Sequence, residues 1–343
     1  MFQRFEKIIK PDKLRKRIRL DKTSVRVKES NDRIIKDIVS GLDKRFLIVC
    51  GPCGADNADA VLEFCLKLKE LSLKVNDKIF LVPRLYTAKA RSAGDGYLGM
   101  MFQPDDEKVE IEKGIIATRK MLANCISRTG LPIADEFLYM EQLEYNSDLV
   151  SYYFLGARQS NTPLYRNIAS GLECAVGVKN DLSGNLANLA GSLHAVKTRK
   201  DFIFRNGQIS TVGNEYSHAV LRGYSNARGE FFSNDDQESI DELKKHCDDL
   251  GVPCEFVMID CSHANSKKQA KNQIDNALNA VKKDGVRGLM LESYLYGGCA
   301  KNEYGVSKID ECLDWESTQE LILKLYDLLP AAEGKASDAE NQQ

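Results

Sequence analysis

Eight times between residues 46 and 329, a short run of β-branched and apolar residues gives way to a segment with helical spacing, and this alternation constrains the fold more than any other feature. The strand candidates are residues 46–50, 79–84, 131–136, 152–158, 175–179, 219–222, 254–260 and 288–292. Helical segments follow at 58–73, 109–127, 142–148, 185–195, 235–250, 266–283 and 310–329; the fourth, near 164–172, is short and poorly marked. Strands that alternate with helices run parallel, because a helical crossover returns the chain to the same end of the sheet. Eight such units predict an α/β protein of the (β/α)8 TIM-barrel type over residues 46–330. Residues 201–218 break the rhythm with strict alternation about Asn206-Gly207, which predicts a β-hairpin inserted before the sixth strand. Residues 1–45 form a charged N-terminal arm ending in a helix at 31–42, a place for contacts between subunits. Residues 331–343 are small and polar, the composition of a disordered tail.

Composition narrows the partners. Of 343 residues 43% are hydrophobic and 29% charged, and the formal net charge is only −2. A chain with so little net field has no global attraction for nucleic acid or an anionic membrane, so any anion must be held by a local cluster. The basic N-terminus lacks the apolar core of a signal peptide, and no stretch approaches the roughly 18 apolar residues that span a bilayer. The expectation is a soluble, cytoplasmic protein. Ten cysteines lie scattered through apolar segments, as reduced core thiols do, not as the framework of a secreted domain.

Functional groups of a βα barrel sit at the C-terminal ends of its strands. Taken unit by unit, the polar residues there are Cys53, Arg84, Glu136, Arg158, Lys179, Arg222, His263 and Glu292, with Lys89 and Arg91 after the second strand and Asp310 after the eighth. Converging on one mouth, Cys53, His263, Glu292 and Asp310 offer a thiol, an imidazole and two carboxylates, a mixed set suited to one divalent ion such as Mn, Fe, Co or Zn. Arg84, Arg158, Lys179 and Arg222 suit a small substrate carrying a phosphate and a carboxylate, which guanidinium groups grip bidentately. Lys89, Arg91 and Ser92 suit a second phosphate.

These residues fall in motifs that resemble a known family. Cys-Gly-Pro-Cys-Gly (50–54), Arg-Leu-Tyr-Thr-Ala-Lys-Ala-Arg-Ser (84–92), Asp-Glu-Phe-Leu (135–138), Gly-Ala-Arg (156–158), Ala-Ser-Gly-Leu (169–172), Val-Gly-Val-Lys-Asn (176–180), Leu-Arg-Gly (221–223), Asp-Cys-Ser-His-Ala-Asn-Ser-Lys-Lys-Gln (260–269), Leu-Glu-Ser (291–293) and Asp-Glu-Cys-Leu-Asp-Trp (310–315) are similar, in order, to those of class I DAHP synthases, which make 3-deoxy-D-arabino-heptulosonate 7-phosphate. The resemblance implies a barrel enzyme that condenses phosphoenolpyruvate with erythrose 4-phosphate, the first step of the shikimate pathway to aromatic amino acids. It implies a homodimer or homotetramer with no nucleic-acid or membrane partner. By the same likeness Cys53, His263, Glu292 and Asp310 bind the metal, and Arg84, Glu136, Arg158, Lys179 and Arg222 surround phosphoenolpyruvate. Lys89, Arg91 and Ser92 hold erythrose 4-phosphate; Lys89, Lys179 and His263 are the catalytic candidates.

Departures from the family cluster on the aldehyde side. Relatives usually carry Lys-Pro-Arg-Thr where this chain has Lys89-Ala90-Arg91-Ser92, and Ser at Gly54; Gly96-Tyr97-Leu98-Gly99 and Arg205-Asn206-Gly207-Gln208 also lack the usual Lys and Trp. Changes around 139–143 and at Glu173 touch positions that line the relatives' inhibitor pocket. An enzyme using another phosphorylated or aminated aldose is therefore the alternative function. Cys50-Gly-Pro-Cys53 matches a thioredoxin motif, but that domain leaves the other strand-end residues unexplained; a reversible Cys50–Cys53 or Cys53–Cys312 disulfide is the better use of the likeness. His194, His218 and His246 read as structural, Trp315 as core, and the Lys-Lys pairs of segment 266–283 as a solvated helix face.

Overall fold

The structure, a computed structural model, describes residues 5–91, 96–105 and 108–331. Eight parallel strands, β1 (Phe46–Gly51), β2 (Ile79–Pro83), β3 (Ala134–Glu136), β4 (Tyr152–Leu155), β5 (Ala175–Lys179), β6 (Ser217–Leu221), β7 (Val257–Asp260) and β8 (Val286–Glu292), pair in the order β2-β1-β8-β7-β6-β5-β4-β3. The two edge strands meet through a parallel bridge between Arg84 and Ala134, and Leu85 N–H donates to Ala134 O at 2.8 Å. That contact closes the sheet into a barrel and removes its edges.

Ten helices surround or plug it: α1 (Pro11–Arg17), α2 (Lys22–Val39), α3 (Ala58–Val75), α4 (Ile111–Thr129), α5 (Met140–Asn146), α6 (Pro163–Ala169), α7 (Leu186–Lys197), α8 (Gln237–Asp249), α9 (Asn272–Ala280) and α10 (Trp315–Leu328), the count being of the described residues. Side chains set where several begin. Asp21, Asn57, Asn185, Asp236 and Asp314 accept backbone N–H bonds as N-caps, and Gly130 ends α4 in the left-handed conformation with φ 67°. No helix among the described residues is long and apolar enough to cross a membrane.

Two apolar layers follow from the alternation of side chains along each strand. Residues pointing outward, such as Ile48, Leu81, Val176 and Leu289, pack against the helices. Those pointing inward, Leu47, Val49, Val82, Tyr152, Phe154, Ala175, Val220, Met258 and Met290, fill the barrel. Ile35, Ile38 and Val39 of α2 join this interior cluster, so the N-terminal arm stoppers the barrel floor. The arm expected to carry one helix at 31–42 thus carries two: Pro11 starts one, and Asp21, accepting from Ser24 N–H at 2.7 Å, caps the other, which begins at Lys22, nine residues earlier than the apolar spacing indicates.

Three further differences concern the insertions and the seventh helical segment. The hairpin is present as Asp201–Phe204 paired with Gly207–Ser210, but its central turn residues are Arg205 and Asn206, both at positive φ (49° and 63°), so Gly207 opens the second strand. A second two-stranded ribbon, Tyr224–Ser225 with Phe231–Phe232, follows β6 without having been expected. The helix expected from residue 266 begins only at Asn272, because backbone groups of the preceding segment find partners elsewhere: Ala270 N–H donates to Glu311 Oε2 at 2.8 Å.

Candidate active site

Register brings the strand-end residues to one level. Gly51 pairs with Glu292 and Cys50 with Pro83, so Cys53, Arg84 and Glu292 emerge side by side from β1, β2 and β8. Gly51 has to be glycine here, since a Cβ would run into the Arg84 carbonyl. Cys53 Sγ and one oxygen each of Glu292 and Asp310 lie within 4.8 Å of one another. Donors about 2.0–2.3 Å from a shared ion stand at most about 4.6 Å apart, so a contraction of a few tenths of an ångström lets these three share a divalent cation.

His263 faces this group across Glu292, its Nε2 3.8 Å from Oε1. Its other nitrogen, Nδ1, lies 2.8 Å from Asp260 Oδ2. An Nδ1–H held by a carboxylate leaves the Nε2 lone pair directed at Glu292, and two acceptors facing each other suit an intervening cation. The chemistry of the donor set therefore fits a divalent metal, with His263 needing the larger adjustment.

The charges around it are balanced pair by pair. Arg84, fully buried, holds Glu292 Oε1 at 2.8 Å and donates to Pro52 O; its Nε has no partner among the described residues. Burial opposes ionisation of Glu292, yet Arg84, His263 and Lys89 outweigh it and hold the carboxyl below its ordinary range. Burial and the neighbouring Glu292 push the Cys53 thiol up to about 12, although Lys89 Nζ stands 3.4 Å from Sγ. A protonated thiol at neutral pH is what such a site shows before a metal displaces the proton.

Asp260, at the end of β7, is the centre of a second network. Its Oδ2 accepts from Lys179 Nζ at 3.0 Å as well as facing His263, and its Oδ1 accepts from Ser262 Oγ at 2.7 Å. Burial works against this carboxylate, but His263 and Lys179 hold it well below the usual range. Burial likewise lowers Lys179, with Asp260 pulling the other way. Asp260 was absent from the strand-end reading, although an acid closing the apolar run FVMID carries the same signal that exposed Glu136 and Lys179.

Above these pairs opens a cavity of about 350 Å³ whose wall includes Lys89, Arg91, Glu136, Arg158, Lys179, Arg222, Lys268, His263 and Asp310. Of the expected substrate residues, Arg84 is not in this wall, because the register turns it inward onto Glu292. Ser92 lies outside the described residues. Lys268, expected on a solvated helix face, instead sits in the wall with Nζ 3.5 Å from Asp310 Oδ1. The departure at Gly54 also has a steric account: a Cβ there would stand 2.6 Å from Ile309 Cδ1, a side chain that fills the space and lines the cavity.

The remaining expectations concern groups away from the mouth. All ten cysteines are free thiols, and burial raises Cys50 to about 12. Trp315 packs edge-on against Phe64, ring centroids 5.7 Å apart, in the outer core. His218 is buried inside the barrel with Tyr152.

Comparison with known proteins matches this arrangement to one family. A model of the DAHP synthetase I family matches residues 20–323. The chain is 34% identical over 311 residues to the Tyr-sensitive phospho-2-dehydro-3-deoxyheptonate aldolase of Salmonella typhimurium, covering 85% of each chain. It is 32% identical over 324 residues to the tyrosine-inhibited enzyme of Candida albicans, covering 87% of this chain and 86% of that one. The solved structure of phospho-2-dehydro-3-deoxyheptonate aldolase from Francisella tularensis SCHU S4 superposes with a TM-score of 0.89 at 29% identity, over 97% of this chain and 100% of the other. With a barrel of matching topology and a family match over most of its length, the chain belongs to the DAHP synthetase I family.

Proposed function

We propose that this chain condenses phosphoenolpyruvate with erythrose 4-phosphate and water to give DAHP and inorganic phosphate, with one divalent ion of the Mn, Fe, Co or Zn kind. The observation that carries the reading is the shared cavity, in which six cationic side chains, Lys89, Arg91, Arg158, Lys179, Arg222 and Lys268, stand beside His263 and Asp310 of the metal donor set. Two phosphorylated substrates, one of them also a carboxylate, need that many positive groups at one place.

In this reading Arg158, Lys179 and Arg222 bind the phosphate and carboxylate of phosphoenolpyruvate, with Glu136 beside them. Arg84 is retained there because its buried Nε–H lacks an acceptor. Lys89, Arg91 and Ser92 orient the aldehyde by its terminal phosphate. A divalent ion on Cys53, His263, Glu292 and Asp310 supplies Lewis-acid polarisation of the aldehyde oxygen or activation of a water. C3 of phosphoenolpyruvate forms the new bond to the aldehyde carbon, water adds at C2, and the C2–O bond to phosphate breaks. The alkoxide oxygen takes up a proton, and Lys179, whose ammonium burial makes easier to deprotonate, is the nearest fit for a donor. As phosphate leaves, the arginines stabilise its charge in a site that costs no reorganisation.

A cytoplasmic homodimer or homotetramer is part of the same reading, and sedimentation of the purified chain tests its oligomeric part. The substrate assignment is tested by phosphate release from phosphoenolpyruvate against four- and five-carbon aldose phosphates with each common divalent metal. Erythrose 4-phosphate is expected to give the highest kcat/KM. Another aldose favoured by about tenfold overturns that half and leaves the phosphoenolpyruvate half standing. The replaced Lys-Pro-Arg-Thr motif is the specific observation that keeps this second reading, a retuned aldehyde site, in view.

A further inference from the structure

Between β7 and α9 the backbone takes left-handed φ at three non-glycine residues, His263 (45°), Lys267 (53°) and Lys268 (59°), a conformation that L side chains rarely adopt. The turn is held by many partners at once. Lys268 N–H donates to His263 O at 2.8 Å, Lys267 N–H to Ala264 O at 3.0 Å, and the Asn265 amide to Leu221 O and Asp260 O at 3.1 and 2.9 Å. A conformation so strained and so thoroughly fixed marks functional segments. Its visible result is that Lys268 lines the cavity instead of a solvated helix face.

The cavity cations fall into two groups. Lys179 is bonded to Asp260 at 3.0 Å, and Arg222 stands in the field of Asp260, Arg158 and Glu136. Lys89 and Lys268 instead act on Asp310, at the other end of the wall. A substrate phosphate at that second end needs cations of its own, and Ala90 and Leu98 supply none. The Lys268–Asp310 contact is long at 3.5 Å, and the Lys268 side chain is 47% exposed, so the pair is weak and its ammonium is available to a stronger anion. A phosphate dianion is such an anion.

We infer that Lys268 binds the terminal phosphate of the aldehyde substrate together with Lys89 and Arg91, and sets the preference of the enzyme for a phosphorylated aldehyde. The inference rests on the reaction proposed above and adds to it a binding residue from the turn between β7 and α9. It supplies a further cation to a phosphate site in which the relatives' proline and one neighbouring cation are replaced by Ala90 and Leu98.

Steady-state kinetics of the metal-loaded full chain as Lys268→Met, Lys268→Asn and Lys268→Arg test it. KM for erythrose 4-phosphate is expected to rise about 10- to 100-fold in the Met and Asn variants, the effect of losing one charge-assisted contact. KM for phosphoenolpyruvate and kcat should stay within about threefold, and Arg should restore most of the affinity. Metal stoichiometry should not change. Asn tolerates the left-handed conformation, so a residue needed only for the shape of the turn would give a wild-type Asn variant. An unchanged KM for the aldehyde in Lys268→Met, an equal rise for both substrates, or lost metal overturns this inference alone. Wild-type enzyme that releases no phosphate from phosphoenolpyruvate with erythrose 4-phosphate overturns the reaction, and this inference with it.

Discussion

His263 and His218 belong to neighbouring strands of the same barrel, the first just past the end of β7 and the second at the start of β6. His218 is buried and the His263 side chain is 16% exposed, and desolvation lowers the pKa of both. At the floor, His218 Nε2 meets Tyr152 Oη at 2.5 Å, Nδ1 meets Tyr216 O at 3.3 Å, and Phe256 packs edge-on with centroids 4.6 Å apart. Both nitrogens are paired within the apolar interior, and the side chain titrates only at about 3. At the mouth, His263 is backed by Asp260 through one nitrogen, while the other faces a carboxylate oxygen too distant for a hydrogen bond. One end of the barrel closes its polar pairs to stabilise the fold; the other holds them open toward a ligand. The difference teaches that burial alone does not mark an active histidine: the groups its two nitrogens face do, a tyrosine and a carbonyl at the floor and two carboxylates at the mouth.

The comparison breaks most visibly if the two ends respond alike to mutation. Cys53→Ala and His263→Ala are each expected to abolish stoichiometric metal and to cut turnover by at least about 10³-fold, while the unfolding midpoint stays close to wild type. Metal analysis and calorimetry on the same samples check both halves; retained metal with retained turnover refutes the assignment. Next in size is Arg222→Ala, which should weaken phosphoenolpyruvate by about 2–4 kcal/mol through loss of a buried charge partner, with little change for the aldehyde. Equal weakening of both substrates in the same kinetics shows the pocket misplaced.

At the floor the expectation reverses. Tyr152→Phe leaves His218 Nε2 unpaired in the interior and should cost about 1–3 kcal/mol of stability by denaturant titration, with kcat/KM unchanged. A kinetic defect without a stability loss contradicts the division of labour. The smallest effect is a slope. The folded-state pKa of His218, about 3, lies below its ordinary value, so at pH between the two the unfolded chain binds a proton that the folded chain refuses. Stability then falls as pH falls from about 6.5 toward 3, by at most about 1.4 kcal/mol per pH unit. Asp135, raised to about 7 by burial, contributes the opposite slope, so the difference between wild type and His218→Gln isolates the histidine. Parallel stability–pH curves for the two proteins exclude it.

The fold was legible because each βα unit announces itself locally. Strand runs such as AVGVK need no distant partner to be recognised, and β5 matches that run residue for residue. The site was legible for a related reason: strand ends converge by topology, so Cys53 meets Glu292 and Asp310, each more than 230 residues away in sequence. What escaped depends on long-range contacts. The inward turn of Arg84 follows from the register of β1 with β2 and β8. The late start of α9, and with it the placement of Lys268, follows from Glu311 accepting the Ala270 N–H and from Asn265 tying the turn to Leu221 O and Asp260 O. The role of α2 as the floor of the barrel depends on Ile35 and Ile38 meeting strands distant in sequence. Asp260 was different, since its signal was present in the sequence and was passed over.

The central claim is that the mouth joins two phosphorylated substrates on a divalent ion, and phosphate release from phosphoenolpyruvate tests it most directly. The measurement is made on one preparation before chelation, after chelation and after metal reloading, each with and without erythrose 4-phosphate. The account predicts release only when both metal and aldehyde are present, with one seven-carbon keto acid formed for each phosphate set free. Release without the aldehyde, or release undiminished in the chelated enzyme, would contradict it.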